Sequence, residues 1–186
     1  MTPFTRLEGR AYVFALSNVD TDLIIPAEHL KTVRRSGLGR HAFEAVRGSP
    51  GNTFDEPANR GAPILVALDN FGCGSSREHA AWALLDMGVR AVIAPSFSDI
   101  FAGNAFKNGI AAIELDAADV EFLIDAARTN RVCVDLQAMA VTCAGRQFGF
   151  AMDGFRRDCL LGGLDEIDLT LAHAPAIRAY EQRVGI

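Results

Sequence analysis

Apolar residues alternate with other residues from Arg10 to Leu16, a two-residue period that predicts a first strand. From there to Pro63 neither the strand period nor the helix period holds. The stretch 17–63 reads as an irregular region with one short helix around His41 to Val46 and a Gly/Pro/Asn-rich segment from Gly48 to Pro63. So long an irregular stretch inside a compact domain carries function or disorder, and mobility is expected there. Regularity returns at Ile64 with a strand to Leu68, a glycine-rich turn, a helix from about Ser76 to Met87 closed by Gly88, and a buried strand Ala91 to Ala94. Phe97, Ile100, Phe101 and Ala105 mark one face of a second helix that ends near Gly109, and a strand Ile110 to Leu115 follows. Asp116 is an N-cap for a third helix bearing Val120, Leu123, Ile124 and Ala127. Strands Val132 to Leu136, Ala138 to Cys143 and Gln147 to Met152 come next, the last two joined as a hairpin at Ala144-Gly145. Short helices fill about 153–186, broken near Gly162-Gly163 and Ala174-Pro175.

Alternating strands and helices at the centre, flanked by antiparallel strands, predict a mixed α/β domain rather than an all-parallel one. The 186 residues suffice for one packed core and are short for two, so 1–186 reads as a single domain with a tail. Hydrophobic residues at 49% and charged residues at 22% place the chain among ordinary globular domains. A net charge of -5, with Lys and Arg spread along the chain, argues against nucleic acid or anionic lipid as a partner. With no bilayer-length apolar run and no leader pattern in Met1 to Phe14, the expected location is the cytoplasm. Cys73, Cys133, Cys143 and Cys159 form no C-x-x-C pair, so free thiols and no metal on this chain are expected.

The most informative segment runs from Asp69 to His79, DNFGCGSSREH, where a strand ends and a helix begins. Its glycines let backbone approach a ligand closely, and unpaired N–H groups at a helix start favour an anion. Ser75 and Ser76 add hydroxyls, and Arg77 adds a planar fork suited to a carboxylate. Ser75-x-x-Glu78 is equally the spacing of a capping box, which only satisfies loose N–H groups. Gly72-x-Gly74 lacks the third glycine of a dinucleotide fingerprint. His79 lies one helical turn from Ser75, but no G-x-S-x-G elbow is present, and packing beside Trp82 is the simpler role. Cys73 reads as a small buried group in a tight turn or a reactive thiol. Asp20 and Asp22 either orient a site residue or bond nearby backbone N–H groups.

Three strings, Asn18-Val19-Asp20-Thr21-Asp22 with Ile24-Ile25-Pro26, Asn70 through His79, and Ile93-Ala94-Pro95-Ser96-Phe97 with Asp99-Ile100-Phe101, resemble the small subunit of 3-isopropylmalate dehydratases. The tail from Phe155-Arg156-Arg157 to Leu169-Thr170-Leu171 is similar as well, so the resemblance covers nearly the whole chain in order. It implies an aconitase-like swivelling domain of three layers, β/β/α, with a mixed sheet. It also implies a hydro-lyase that interconverts 2- and 3-isopropylmalate in leucine biosynthesis by removing and readding water. By that resemblance Ser75 is the catalytic base and Ser76 and Arg77 hold a substrate carboxylate; Asp22 and Gly74 are expected to support the site from the reading of the residues themselves. A 4Fe-4S cluster, the Lewis acid for the departing hydroxyl, belongs to a large subunit in a heterodimer or heterotetramer. The segment Leu30-Lys31, with Arg34 and Arg35, falls where relatives recognise substrate; a solvated basic turn is the plain alternative for the two arginines. Where this chain has His29, the family pattern has an aromatic, usually phenylalanine. That departure leaves 2-methylmalate and 2,3-dimethylmalate open as substrates, beside a non-catalytic anion-binding module and a serine or cysteine hydrolase.

Energetics predict an incomplete site. A serine hydroxyl is less acidic than a tyrosine hydroxyl at about 10, so forming its alkoxide near pH 7 demands more than roughly 4 kcal/mol. A helix N-terminus supplies about 0.3–1 kcal/mol, up to ~2 when partly buried. The remainder must come from Arg77, from a partner's donors and from exclusion of water.

Overall fold

The computed structural model describes residues 1–185 and divides the strands between two sheets of four. One is wholly parallel, in the order β2 (Ala11–Phe14), β3 (Ile64–Ala67), β4 (Ala91–Ala94), β5 (Ala111–Glu114). The other is wholly antiparallel, in the order β1 (Arg6–Gly9), β6 (Val132–Asp135), β7 (Ala140–Cys143), β8 (Arg146–Gly149). Parallel and antiparallel strands are both present as expected, but each kind keeps to its own sheet. Arg10 alone separates β1 from β2, so the chain crosses between sheets within one residue. Gly9 makes that crossing feasible, because a Cβ there would stand 2.8 Å from Pro63 Cδ. The first strand predicted at Arg10 is therefore two, and β1 went unread. It is a sheet edge whose Arg6 and Glu8 pair in solvent at 3.2 Å, and such charged edges carry little apolar pattern.

The helices are α1 (Thr21–Ile24), α2 (His79–Asp86), α3 (Asp99–Lys107), α4 (Ala117–Ala126), α5 (Gly154–Gly162), α6 (Glu166–Leu171) and α7 (Ala174–Val184). Both β3 and β4 are buried throughout, as their unbroken apolar runs require in a parallel sheet covered on two sides. The strand period sorts their side chains between two cores. Leu65, Ala67, Val92 and Ala94 pack with Ala80, Ala81 and Leu84 of α2 and with Phe43 and Phe71. Ile64, Val66, Ala91 and Ile93 pack with Val120, Leu123 and Ile124 of α4 and with Val132, Val134 and Val141 of the antiparallel sheet. No helix among the described residues is long and apolar enough to cross a membrane.

The stretch 17–63 holds no strand, yet much of it is packed: Ile24, Ile25, Leu38, Ala42, Phe43 and Phe54 are buried. Exposed runs lie at residues 31–37, apart from a half-buried Thr32, and at 48–51 and 55–58. The helix expected at His41 to Val46 is absent. Phe43 sits at φ +56, a left-handed conformation that no helix continues through, and turns replace it. That strained backbone is held by its ring, which stacks on Phe54 at 4.0 Å inside the core. The tail follows its expected breaks, with Gly163 capping α5 in the left-handed region and Pro175 in the first turn of α7; Ile186 lies outside the described residues.

Candidate functional site

The segments that leave β2, β3 and β4 at their carboxyl ends meet in one place, the position where open α/β sheets put their ligands. Main-chain bonds knit them together: Asn18 N–H donates to Asp69 O at 2.9 Å, Gly72 N–H to Val19 O at 2.7 Å, and Phe71 N–H to Ser96 O at 3.1 Å. Side chains add to this, with Asn70 Nδ2 donating to Asn18 Oδ1 at 2.7 Å and Asn70 N–H to Ser96 Oγ at 2.8 Å. The three strings picked out along the sequence are thus three sides of one surface.

Gly72 is required where it sits. Its φ is +78, and an added Cβ would lie 2.2 Å from the Phe101 ring, which fills the space beneath the turn. Gly72→Ala is expected to destabilise the fold by about 2–4 kcal/mol, the sum of left-handed strain and overpacking, readable as a lowered urea midpoint. Gly74 is different: at φ +96 it has the left-handed requirement but only ordinary contacts, with Asp20 Cβ and Thr21 Oγ1 both 3.6 Å from its would-be Cβ. Its role is to turn the chain so that Ser75 faces Thr21.

Ser75 N–H donates to Thr21 Oγ1 at 3.0 Å, which fixes the serine backbone against α1. The Ser75 Oγ accepts from Arg77 Nε at 2.8 Å and from Arg77 N–H at 3.3 Å. Arg77 in turn lies 4.0 Å from Asp22 Oδ1 through Nη2. Asp20 does something else, since its Oδ1 accepts from Leu23 N–H at 2.7 Å and caps α1. Of the two aspartates, Asp22 faces the arginine and Asp20 holds backbone.

The helix expected from Ser76 begins at His79, three residues later, with Glu78 at the N-cap position and no side-chain capping bond. Glu78 Oε1 accepts instead from Asn108 Nδ2 at 2.6 Å, and Ser75 is bonded to Arg77. The capping-box reading of Ser75 and Glu78 is therefore overturned, and so is the direct access of Ser75 to the first turn of a helix. The charged neighbour of the Ser75 oxygen is a side chain, not a helix terminus. A serine–histidine pair is not formed either: His79 Nε2 lies 3.0 Å from Thr32 O, and its ring packs on Trp82 with centroids 4.5 Å apart.

Ser76 is exposed beside Arg77, its carbonyl accepting from Asn104 Nδ2 at 3.1 Å. Asn104 and Asn108 both tie α3 to the segment before α2, and sequence reading passed over them. They stand four apart, Asn104 within α3 and Asn108 at its C-cap. Thr21, the anchor of Ser75, carried no signal of that role. The other candidate residues lie on the loop that the Thr32–His79 bond pins to α2. Leu30 is half-buried against the first core, Lys31 and Arg34 are exposed, and Arg35 sits over the Trp82 ring at 5.3 Å. His29 turns to Glu44, 2.7 Å away, and stacks on His41. The His29 bond holds the Glu44 carboxyl below its usual range.

The site is open to water. Side-chain exposure is 46% for Arg77 and 61% for Asp22. Concavities exist elsewhere, one of about 370 Å³ lined by Tyr12, Arg47, Phe54 and Arg60 among others, but that lining includes neither Ser75 nor Arg77.

The aconitase C-terminal domain family matches residues 1–118, and the C-terminal domain of the 3-isopropylmalate dehydratase small subunit matches residues 166–184. The 3-isopropylmalate dehydratase small subunit of Novosphingobium aromaticivorans is 57% identical over 185 residues, covering 99% of this chain and 92% of that protein. Its counterpart from Zymomonas mobilis is 57% identical over 94% of this chain and 92% of its own length. The crystal structure of a 3-isopropylmalate dehydratase from Methanocaldococcus jannaschii superposes with a TM-score of 0.72 at 27% identity, over 95% of this chain and 99% of that one. The match spans nearly the whole chain, which belongs to the 3-isopropylmalate dehydratase small-subunit family, on the aconitase C-terminal fold.

Proposed function

We propose that this chain supplies the proton-handling half of a hydro-lyase site for 3-isopropylmalate, and that a large subunit supplies the other half. The observation that carries the reading is the 2.8 Å bond from Arg77 Nε to Ser75 Oγ at the carboxyl ends of the parallel strands. A guanidinium in contact with that oxygen favours its alkoxide, so Ser75 can take the proton beside a substrate carboxylate. The Nη edge of Arg77 and the Ser76 hydroxyl remain to receive the carboxylate and aim that proton at Ser75. Asp22 keeps the guanidinium turned toward the site.

The small-subunit family itself implies a larger partner, and two features of this chain support one. A substrate on so open a surface would stay hydrated, and water exclusion has to come from a second body. The helices α6 and α7 bury none of their residues and expose Ile167, Leu171, Ile177, Tyr180 and Val184. Large apolar side chains left exposed on two neighbouring helices in sequence suit a protein contact.

A 4Fe-4S cluster does not fit this chain. Clusters are held by convergent cysteine thiolates. Cys143 and Cys159 are buried, which pushes their thiols up, and Cys133 Sγ accepts from Arg6 at 3.1 Å. Among the described residues the only metal-class group of three or more is His29, His41 and Glu44, without a cysteine. The cluster is assigned to the large subunit.

The test is anaerobic turnover of 3-isopropylmalate by this chain mixed with a cluster-loaded large subunit, followed by absorbance of the unsaturated intermediate, beside each chain alone. Activity only in the mixture is the expected result. Turnover of 2-methylmalate but not 3-isopropylmalate would keep the mechanism and change the substrate. Silence with every malate in a verified complex would overturn the reading in favour of an anion-binding module.

A further inference from the structure

Away from Ser75, one cluster of metal-class donors has no part in the proton chemistry. His29 lies in a 3-10 turn, Ala27–Leu30, and His41 ends another, Gly39–His41. Glu44 follows three residues later. One donor atom from each of the three lies within 4.8 Å of the others. His29 Nε2 is 2.7 Å from Glu44 Oε2 and 3.4 Å from Glu28 Oε1, while His41 Nδ1 is 3.4 Å from the same Glu44 oxygen. The two imidazoles are stacked 3.8 Å apart at 19°. A single ring N–H can be given fully to only one carboxylate, yet His29 Nε2 faces two. A cation between these groups would serve all four.

We propose that His29, His41 and Glu44 bind one divalent ion of the zinc class, with Glu28 in reach as a fourth ligand, and that the ion clamps the two ends of the loop between Leu30 and Leu38. Two imidazoles with carboxylate oxygen are the donor set that such borderline ions take. Tetrahedral bonds of about 2.0–2.2 Å place neighbouring ligand atoms about 3.3–3.5 Å apart, so the His41–Glu44 separation already fits, the His29–Glu44 contact needs to open by about 0.6 Å, and one of the stacked imidazoles has to rotate out of the stack, because a metal lies near the plane of each ring it binds. Arg40 Nε donates to His41 Nε2 at 2.9 Å, which places the ring proton on Nδ1. Binding through Nδ1 moves that proton to Nε2 and turns the exposed Arg40 side chain toward solvent. The consequence is local. Lys31, Arg34 and Arg35 ride on this loop, whose inner tie is the Thr32–His79 bond, and a metal would add a second tie at its base. The proposal stands whether or not Ser75 is a base, since it concerns different residues.

The chelator-stripped full-length chain is titrated with zinc chloride by calorimetry and with cobalt chloride by visible absorption. One equivalent is expected, with tetrahedral cobalt bands, together with slower amide exchange in residues 31–36. His29→Ala and Glu44→Gln are each expected to weaken binding by more than the roughly 10–100-fold that loss of an outer-shell partner costs, with unchanged circular dichroism. Absence of saturable binding overturns the proposal, as does wild-type affinity in both variants. A thiolate-to-cobalt charge-transfer band would assign the ion to a cysteine and overturn it as well.

Discussion

Ser75→Ala is expected to lower kcat for 3-isopropylmalate by about 10²–10⁴-fold, the contribution of a positioned general base, while assembly with the large subunit and thermal stability stay unchanged. The substitution removes one oxygen and nothing that holds the backbone, because Ser75 is anchored through its N–H to Thr21 Oγ1. Arg77 loses an acceptor, but at 46% exposure water replaces it. Two readouts separate the base from a structural role. Steady-state kinetics in the assembled enzyme report the loss of turnover, and exchange of the substrate proton with deuterated solvent reports whether that proton is still removed. Loss of both identifies the base. Full retention of turnover would leave Ser75 as an acceptor that merely parks Arg77, since the capping role is already excluded by a helix that starts at His79.

The late start of α2 also changes the energetics. With Arg77 and Glu78 between Ser76 and the first helical turn, the ~0.3–1 kcal/mol of a helix dipole is reduced at Ser75, as that effect fades beyond the terminal turn. Added to it is a charge-assisted hydrogen bond from Arg77, of about 1.5–3 kcal/mol in general. That still falls short of the more than roughly 4 kcal/mol a serine alkoxide demands near pH 7. If Ser75 is the base as proposed, closure against the partner supplies the shortfall, by removing water and strengthening every charge inside.

What the chain discloses in its letters follows from where the forces are local. The strand Ala91–Ala94 was legible to the residue because a short buried apolar run between a glycine stop and Pro95 admits little else. The strands starting near Ile64 and Ile110 and the β7–β8 hairpin were legible within one to three residues for similar reasons. The division into two sheets was not, because it rests on a one-residue crossing and on Gly9 meeting Pro63, 54 positions away in sequence (63 − 9). The turn at Phe43 was hidden too, as a phenylalanine in the left-handed region is paid for by tertiary stacking on Phe54. Around the candidate site, Ser75, Ser76, Arg77 and Gly74 stood out in the letters because unusual residue types crowd one segment, and Asp22 lies in a second string, 18–22. Their mutual bonds were not legible, and neither were the Asn104, Asn108 and Thr21 supports, because each depends on a partner from another element. Likewise His29 read as a change of substrate preference, whereas its neighbours in space are His41 and Glu44.

Arg77→Lys is expected to lower kcat/KM by about 10–150-fold, the equivalent of one charge-assisted bond of 1.5–3 kcal/mol at a tenfold per 1.4 kcal/mol. The charge survives this substitution and the geometry does not. Arg77 makes contacts on two edges at once, Nε to Ser75 Oγ at 2.8 Å and Nη2 toward Asp22 at 4.0 Å, with the rest of the fork left for substrate. An ammonium is a single point of charge on a flexible stem and has to choose among these. If it follows the substrate carboxylate, KM is preserved and kcat falls, because Ser75 loses its donor. If it stays with Ser75, KM rises and kcat holds. The first split is expected, since a full negative charge on the substrate outcompetes a neutral hydroxyl for the ammonium. With the donor gone, the rise of kcat with pH should also move to more alkaline values, as an unsupported serine gives up its proton less readily. A pH series of kcat in the assembled enzyme measures both effects together. A variant with wild-type kcat at every pH and only a raised KM would show that Arg77 serves the substrate alone, and that Ser75 is activated by groups from the partner.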